Sequence, residues 1–197
     1  MRTVVISGDG LTVEDVVDVA RGEANAELAA SVTATMEPSR AVVAAAIRGD
    51  APVYGVNTGF GALADTRVAE RDMAQLQAAI IVSHAAAAGD PLDDETVRAM
   101  LLLRARTLAA GYSGVRPDLP ARLIELLNLN LLPVVPGKGS VGASGDLAQL
   151  AHLAQPLIGE GRLRAPGDPP QGRPAGQVLA EHGIVPLEFA PKEGLSL

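Results

Sequence analysis

Apolar and polar residues along this chain repeat with two periods, and the helical one dominates. The opening Thr3-Val4-Val5-Ile6-Ser7 is a short run of strand type closed by the turn residues Gly8, Asp9 and Gly10. Thr12 and Asp15 then stand at capping-box spacing ahead of Val16, Val17 and Val19, which predicts a helix over 12–22. A second helical stretch, 26–49, contains Pro38, whose missing amide donor predicts a break or kink near Glu37. The segment APVYGVNTGFGAL that follows is rich in glycine and reads as a loop. From 67 to 88 the pattern is helical again, with Met73, Leu76, Ile80 and His84 sharing an inner face. Asp93 and Asp94 favour the start of another helix, which carries Val97, Leu101, Arg104 and Leu108 on one side and ends at Gly111. Pro117 fits the first turn of a helix reaching Leu129. An irregular small-residue loop between Pro133 and Gly145 precedes a helix over 146–157. Beyond Gly159 the chain turns rich in Gly, Pro and Arg, with a short helix over 175–182. The expected organisation is a helical domain over 1–159 and a linker or surface excursion over 160–197.

Composition narrows this picture. A hydrophobic fraction of 48% in 197 residues supports a buried core, and two Phe, two Tyr and no Trp mean that small aliphatic side chains must build it. A mainly α fold with minor short β-strands is expected. The net charge of −7 and pI near 4.9 argue against nucleic acid as a partner, since that affinity comes from basic side chains displacing counterions. No apolar run approaches the ~20 residues that span a bilayer, and the N-terminal apolar run is too short for a signal peptide. There is no cysteine, hence no disulfide framework or thiolate chemistry, and a cytoplasmic location is the default expectation.

The chemistry concentrates in Gly139-Ser140-Val141-Gly142-Ala143-Ser144-Gly145-Asp146-Leu147-Ala148. In a sharply bent backbone, the amide nitrogen of Gly145 can attack the carbonyl carbon of Ala143, and loss of water closes a five-membered ring. Loss of the Ser144 hydroxyl as a second water leaves an exocyclic methylidene, a carbon electrophile that ordinary side chains do not supply. Metals and pyridoxal usually fill that need, and no metal-ligand cluster is visible in the sequence. The tripeptide alone is equally a glycine-rich loop leading into a helix capped by Asp146.

Four blocks decide between these readings: YGVNTGFGAL at 54–63, SHAAAAGDPL at 83–92, LAAGYSGVRP at 108–117 and GSVGASGDLAQLAH at 139–152. Together, in this order, they resemble the histidine and aromatic amino-acid ammonia-lyase family, from about Val4 to the end of the chain. The resemblance implies the N-terminal, prosthetic-group-bearing portion of that fold, without the family's central long-helix bundle. It implies a methylidene-imidazolone formed from Ala143, Ser144 and Gly145, with neither metal nor nucleotide, and elimination of ammonia from an amino acid.

Tyr54 matches the family's catalytic tyrosine, a loop residue in proton transfer; a base role for a phenol calls for nearby positive charge or hydrogen bonds. Ser83 and His84 match the substrate-selectivity position in the form that resembles histidine-specific members, where a neutral imidazole can hydrogen-bond a substrate imidazole. The resemblance leaves support of the prosthetic loop to Gly142, Asp146 and Asn57; His152, on the next helix, reads as structural and His182 as an exposed tail residue. Departures from the family pattern at Ala79-Ile80, Ala87, Arg106 and Gln149 leave the substrate open. The implied reaction is L-histidine to trans-urocanate, with a phenylalanine or tyrosine ammonia-lyase or aminomutase as the alternative. A non-catalytic fragment or assembly subunit is the alternative of another class. PKEGLSL at 191–197 resembles the segment just before an Asn-Gly-Thr block, so activity is expected to require a homo- or hetero-oligomer in which another chain supplies the C-terminal half.

Overall fold

A computed structural model of the chain describes residues 1–141 and 145–197. Strand β1 (Arg2–Ile6) leads into α1 (Val13–Ala20), which begins in a capping box: Thr12 Oγ1 accepts from the Asp15 amide, and Asp15 accepts from the Thr12 amide, each at 3.1 Å. Those hydrogen bonds to Thr12, backbone first, hold the Asp15 carboxyl below its usual pKa, with the paired Arg2 guanidinium adding to the effect.

The chain then returns as β2 (Ala24–Leu28), parallel to β1 in register Arg2↔Ala24 to Ile6↔Leu28. This strand replaces the first part of the helix expected from residue 26. Ala24 and Ala26 point inward while Asn25 and Glu27 are exposed, so pairing with β1 overrides the helix propensity of Ala, Glu and Leu. Helix α2 (Val32–Arg48) then runs through Pro38 without the expected break. Pro38 lies on the exposed face, where the carbonyl it leaves unbonded reaches water, while Val32, Met36 and Val43 anchor the opposite face.

A loop over 49–69 leads to α3 (Glu70–His84) and, through β3 (Ala88–Pro91), to α4 (Asp94–Ala109), capped by Asp93 through the Thr96 amide at 2.7 Å. Helix α4 is the central element: Val97, Leu101, Leu102, Ala105, Leu108 and Ala109 are completely buried, against α1 and α5 (Asp118–Asn128). Arg98 is buried in the same interface, and among the described residues no carboxylate pairs with it. Its guanidinium donates to Val19 O (2.9 and 3.1 Å), Leu127 O (3.0 Å) and Asn130 Oδ1 (2.9 Å). The first two are carbonyls from the last turns of α1 and α5, so the negative ends of two helices balance the buried cation.

Short strands β4 (Leu132–Pro133) and β5 (Pro136–Lys138) precede the described gap, and β5 pairs antiparallel with β3. Beyond it, α6 (Leu147–Ala154) packs on α3 and ends in a 3-10 turn at Gln155–Ile158. The stretch expected to be a linker is folded onto the main body. Strands β6 (Arg162–Arg164) and β7 (Arg173–Pro174) extend β4 into a three-stranded antiparallel sheet. Leu163 and, from α7 (Ala175–Glu181), Val178 and Leu179 join the same core. Its glycines and prolines shape turns while the few apolar residues between them supply the contacts. The final helix, α8 (Glu193–Ser196), is tied down by Glu193, which is 0% exposed and accepts from Arg116 Nε, Arg116 Nη2 and the amides of Arg116 and Ala190 at 2.7–2.9 Å.

Candidate active site

Five separate pieces of chain meet around one largely apolar cleft of about 590 Å³: the 54–61 loop, the end of α3, α4 through Arg104, α6 and the α8 segment. The loop brings Tyr54, which is 54% exposed and stands edge-on to Phe60, with ring centroids 5.8 Å apart at 84°. Beneath it Asn57 is fully buried and all its polar atoms are engaged. Its Oδ1 accepts from Val53 N at 2.7 Å, and its Nδ2 donates to Ala46 O and Ala51 O at 3.0 and 2.9 Å. Gly55 has φ +67°, and a Cβ there would sit 2.3 Å from Leu195 Cδ2, so only glycine lets this loop lie against α8.

His84 reaches the cleft from the last turn of α3. Its Nδ1 lies 2.8 Å from Ile80 O, which can only accept, so Nδ1 carries a proton and, in the neutral ring, Nε2 is the acceptor. Ser83 Oγ donates to the same carbonyl at 3.0 Å and stands 3.1 Å from His84 Nδ1, so it touches its neighbour's ring without lining the cleft itself. The expected inner face of α3 is also shifted. Met73, Gln77 and Ile81 are buried, and His84 is exposed to the cleft. A glutamine on the buried stripe concealed its true position.

Arg104 projects from α4 into this cleft and also lines a second one, of about 490 Å³, with Ser140, Asp146 and Gln149. It is partly buried, which pushes its pKa down, and among the described residues no carboxylate pairs with it; Nη1 donates to Ser196 O at 3.4 Å. Asp146 stands at the N-cap of α6, but its side chain makes no capping hydrogen bond. Its φ −97°, ψ 54° lies outside the extended conformation that aims a cap at the first-turn amides, so the expected side-chain cap is not formed. Gly145 has φ +90° and open space where a Cβ would stand. Gly142, Ala143 and Ser144, the rest of the expected prosthetic loop, lie outside the described residues.

On α6, Gln149 Oε1 and His152 Nε2 are buried, and among the described residues neither has a hydrogen-bond partner. Burial pushes the His152 pKa down, so its imidazole is held neutral and Nε2 is an acceptor in want of a donor. Among the described residues no cluster of three His, Asp or Glu side chains could hold a metal, and no helix is long and apolar enough to cross a membrane.

The family model for aromatic amino acid lyases matches residues 11–197. The chain belongs to the aromatic amino acid lyase family. Histidine ammonia-lyase from Myxococcus xanthus is 47% identical over 98% of this chain and 38% of its own length; that from Deinococcus radiodurans is 49% identical over 95% and 35%. Among solved structures, tyrosine aminomutase from Streptomyces globisporus superposes with a TM-score of 0.89 at 39% identity, covering 98% of this chain and 36% of that one. Histidine ammonia-lyase from Trypanosoma cruzi gives 0.88 at 35%, covering all of this chain and 37% of that one. The chain thus spans under two-fifths of the length of these aromatic amino acid lyases and matches the N-terminal portion of their fold. Sequence reading of this family member missed Gln77, Phe60, Leu150 and the α8 wall, and placed Arg104 only on an apolar stripe. A cation or amide at helical spacing among buried aliphatics was the available signal for Arg104 and Gln77.

Proposed function

We propose that this chain is the prosthetic-group-bearing portion of a histidine ammonia-lyase that eliminates ammonia from L-histidine to give trans-urocanate, an activity that requires a complementing C-terminal half. The observation that carries the reading is the convergence of Tyr54 and His84 on one cleft floored by the start of α6, in a chain 46–49% identical to histidine ammonia-lyases.

The residues present fit a ring made from Ala143, Ser144 and Gly145. Gly145 has φ +90° and open space where a Cβ would stand, so no side chain crowds a ring closed at its amide, and α6 begins directly after it. Without a side-chain cap at Asp146, the first-turn amides of α6 are free of that competitor and favour an anionic oxygen at the helix end. When formed, the methylidene-imidazolone supplies the carbon electrophile that makes the substrate amine a better leaving group. The other half of the barrier is removal of a weakly acidic β-proton, which we assign to the Tyr54 oxygen above the cleft. Arg104 supplies positive charge to the same cleft. Ile80 fixes the His84 tautomer, and His84 Nε2 then accepts from the N–H of a substrate imidazole. A phenylalanine ring has no such donor and would leave that nitrogen unpaired. Asn57 holds the loop that carries Tyr54.

Intact mass tests the reading. Loss of two waters, localised to the peptide around Ser144, is expected when the chain is co-expressed with one carrying the missing half, together with production of an absorbing unsaturated acid from L-histidine. An unmodified mass both alone and in co-expression rejects it. The tyrosine alternative has a specific observation in its favour, the 39% identity to a tyrosine aminomutase, and the same assay run with L-tyrosine and L-phenylalanine separates the three.

A further inference from the structure

Gln77 is 1% exposed, in the middle of α3, and both ends of its amide bond to other pieces of chain. Its Nε2 donates to Gly55 O at 3.3 Å, in the loop next to Tyr54, and its Oε1 accepts from Leu195 N at 3.1 Å, in α8. The backbones around it are in close contact as well. A Cβ on Gly194 would lie 2.2 Å from the Gln77 carbonyl oxygen, and one on Gly55 would meet Leu195. Burying a primary amide is costly unless donor and acceptor are both used, and here they join two segments that also meet through the side chain of Leu195 against Gly55. Seven residues further along the same helix stands His84.

We infer that Gln77 is a positioning residue: it locks the Tyr54 loop, the α8 wall and the helix bearing His84 into one unit, so that the phenol keeps a fixed place over the cleft. This rests on the proton-removing role proposed for Tyr54. The lock has a direction. Its donor end restrains the loop and its acceptor end restrains α8, so loss of the amide should release both while α3 itself, held by Met73 and Ile81, stays formed.

The chain has two tyrosines and no tryptophan, so in a Tyr112→Phe background Tyr54 is the sole intrinsic fluorophore. Gln77→Met, which keeps the length and removes both hydrogen bonds, should raise acrylamide quenching of Tyr54 by up to about twofold, the range left by its 54% exposure in the locked state. The same change at exposed Gln75, on the same helix, should leave quenching unchanged. In the complemented enzyme, Gln77→Met should lower kcat about tenfold with little change in KM for histidine, because proton removal and not binding is impaired. Unchanged quenching in a folded Gln77→Met chain overturns the inference, as does a loss expressed in KM alone. Should Gln77→Met fail to fold, hydrogen exchange on the unsubstituted chain decides: the amides of Val56, Asn57 and Leu195 should open together with one common protection. Independent opening overturns the lock. Quenching and exchange are read without turnover, so a failure of the ammonia-lyase reading, seen by intact mass, is distinct from a failure of the lock.

Discussion

At the scale of single residues, the selectivity proposed for the cleft rests on one nitrogen of His84. Ile80 O holds the proton of His84 on Nδ1, and among the described residues no hydrogen bond engages Nε2. An aromatic ring in its place offers no acceptor, so in the complemented enzyme His84→Phe should lower kcat/KM for L-histidine by roughly 100-fold, the scale of one lost hydrogen bond to a buried substrate group, and raise it for L-phenylalanine. Retained histidine preference would reject the assignment. Tyr54, His84 and Asn57 were conspicuous in the sequence as candidates because each sits in a short block whose neighbours are also distinctive. Arg104 and Gln77 were not, because each occupies one polar position on an otherwise ordinary helix, and its importance comes from what lies across the fold: the Ser196 carbonyl for one, Gly55 and Leu195 for the other.

At the scale of elements, helices whose apolar period was regular were placed almost to the residue. The α4 stripe of Val97, Leu101 and Leu108 is the clearest case, with Asp93 as its cap. The errors came where long-range contacts outweighed local preference: β2 exists because β1 is beside it, and α2 survives Pro38 because its other face is anchored. Arg98 belongs to the same class. It lies one position beyond Val97 on α4, and sequence alone does not reveal that two helix ends converge on it. Arg98→Met should therefore cost about 3 kcal/mol, since it leaves the carbonyls of Val19 and Leu127 buried with fewer donors, and the cost should show as a lowered urea midpoint with an unchanged slope. A change within 0.5 kcal/mol would mean that those carbonyls find other donors.

At the scale of the whole molecule, the tail is what turns a helical body into a cleft. Residues 194–197 form one wall, and they stay in place because Glu193 inserts a carboxylate into the core opposite Arg116, whose pKa is raised first by that hydrogen bond. Such a pair contributes little net stability compared with apolar packing, but breaking it from one side is expensive. Arg116→Met leaves Glu193 with only the two backbone amides as partners, deep in the protein, and should cost about 3 kcal/mol or more. Glu193→Met alone strands the guanidinium less severely, because Arg116 is about a third exposed and keeps its bond to Glu188 O. The double substitution should therefore be more stable than Arg116→Met alone, by about 2 kcal/mol, because it removes the unpaired buried charge. Urea denaturation of the four chains measures this cycle. A double substitution as unstable as the sum of the two single ones would show that Arg116 and Glu193 act separately, and that the tail is held instead by Lys192, Gln77 and the apolar contacts of Leu197.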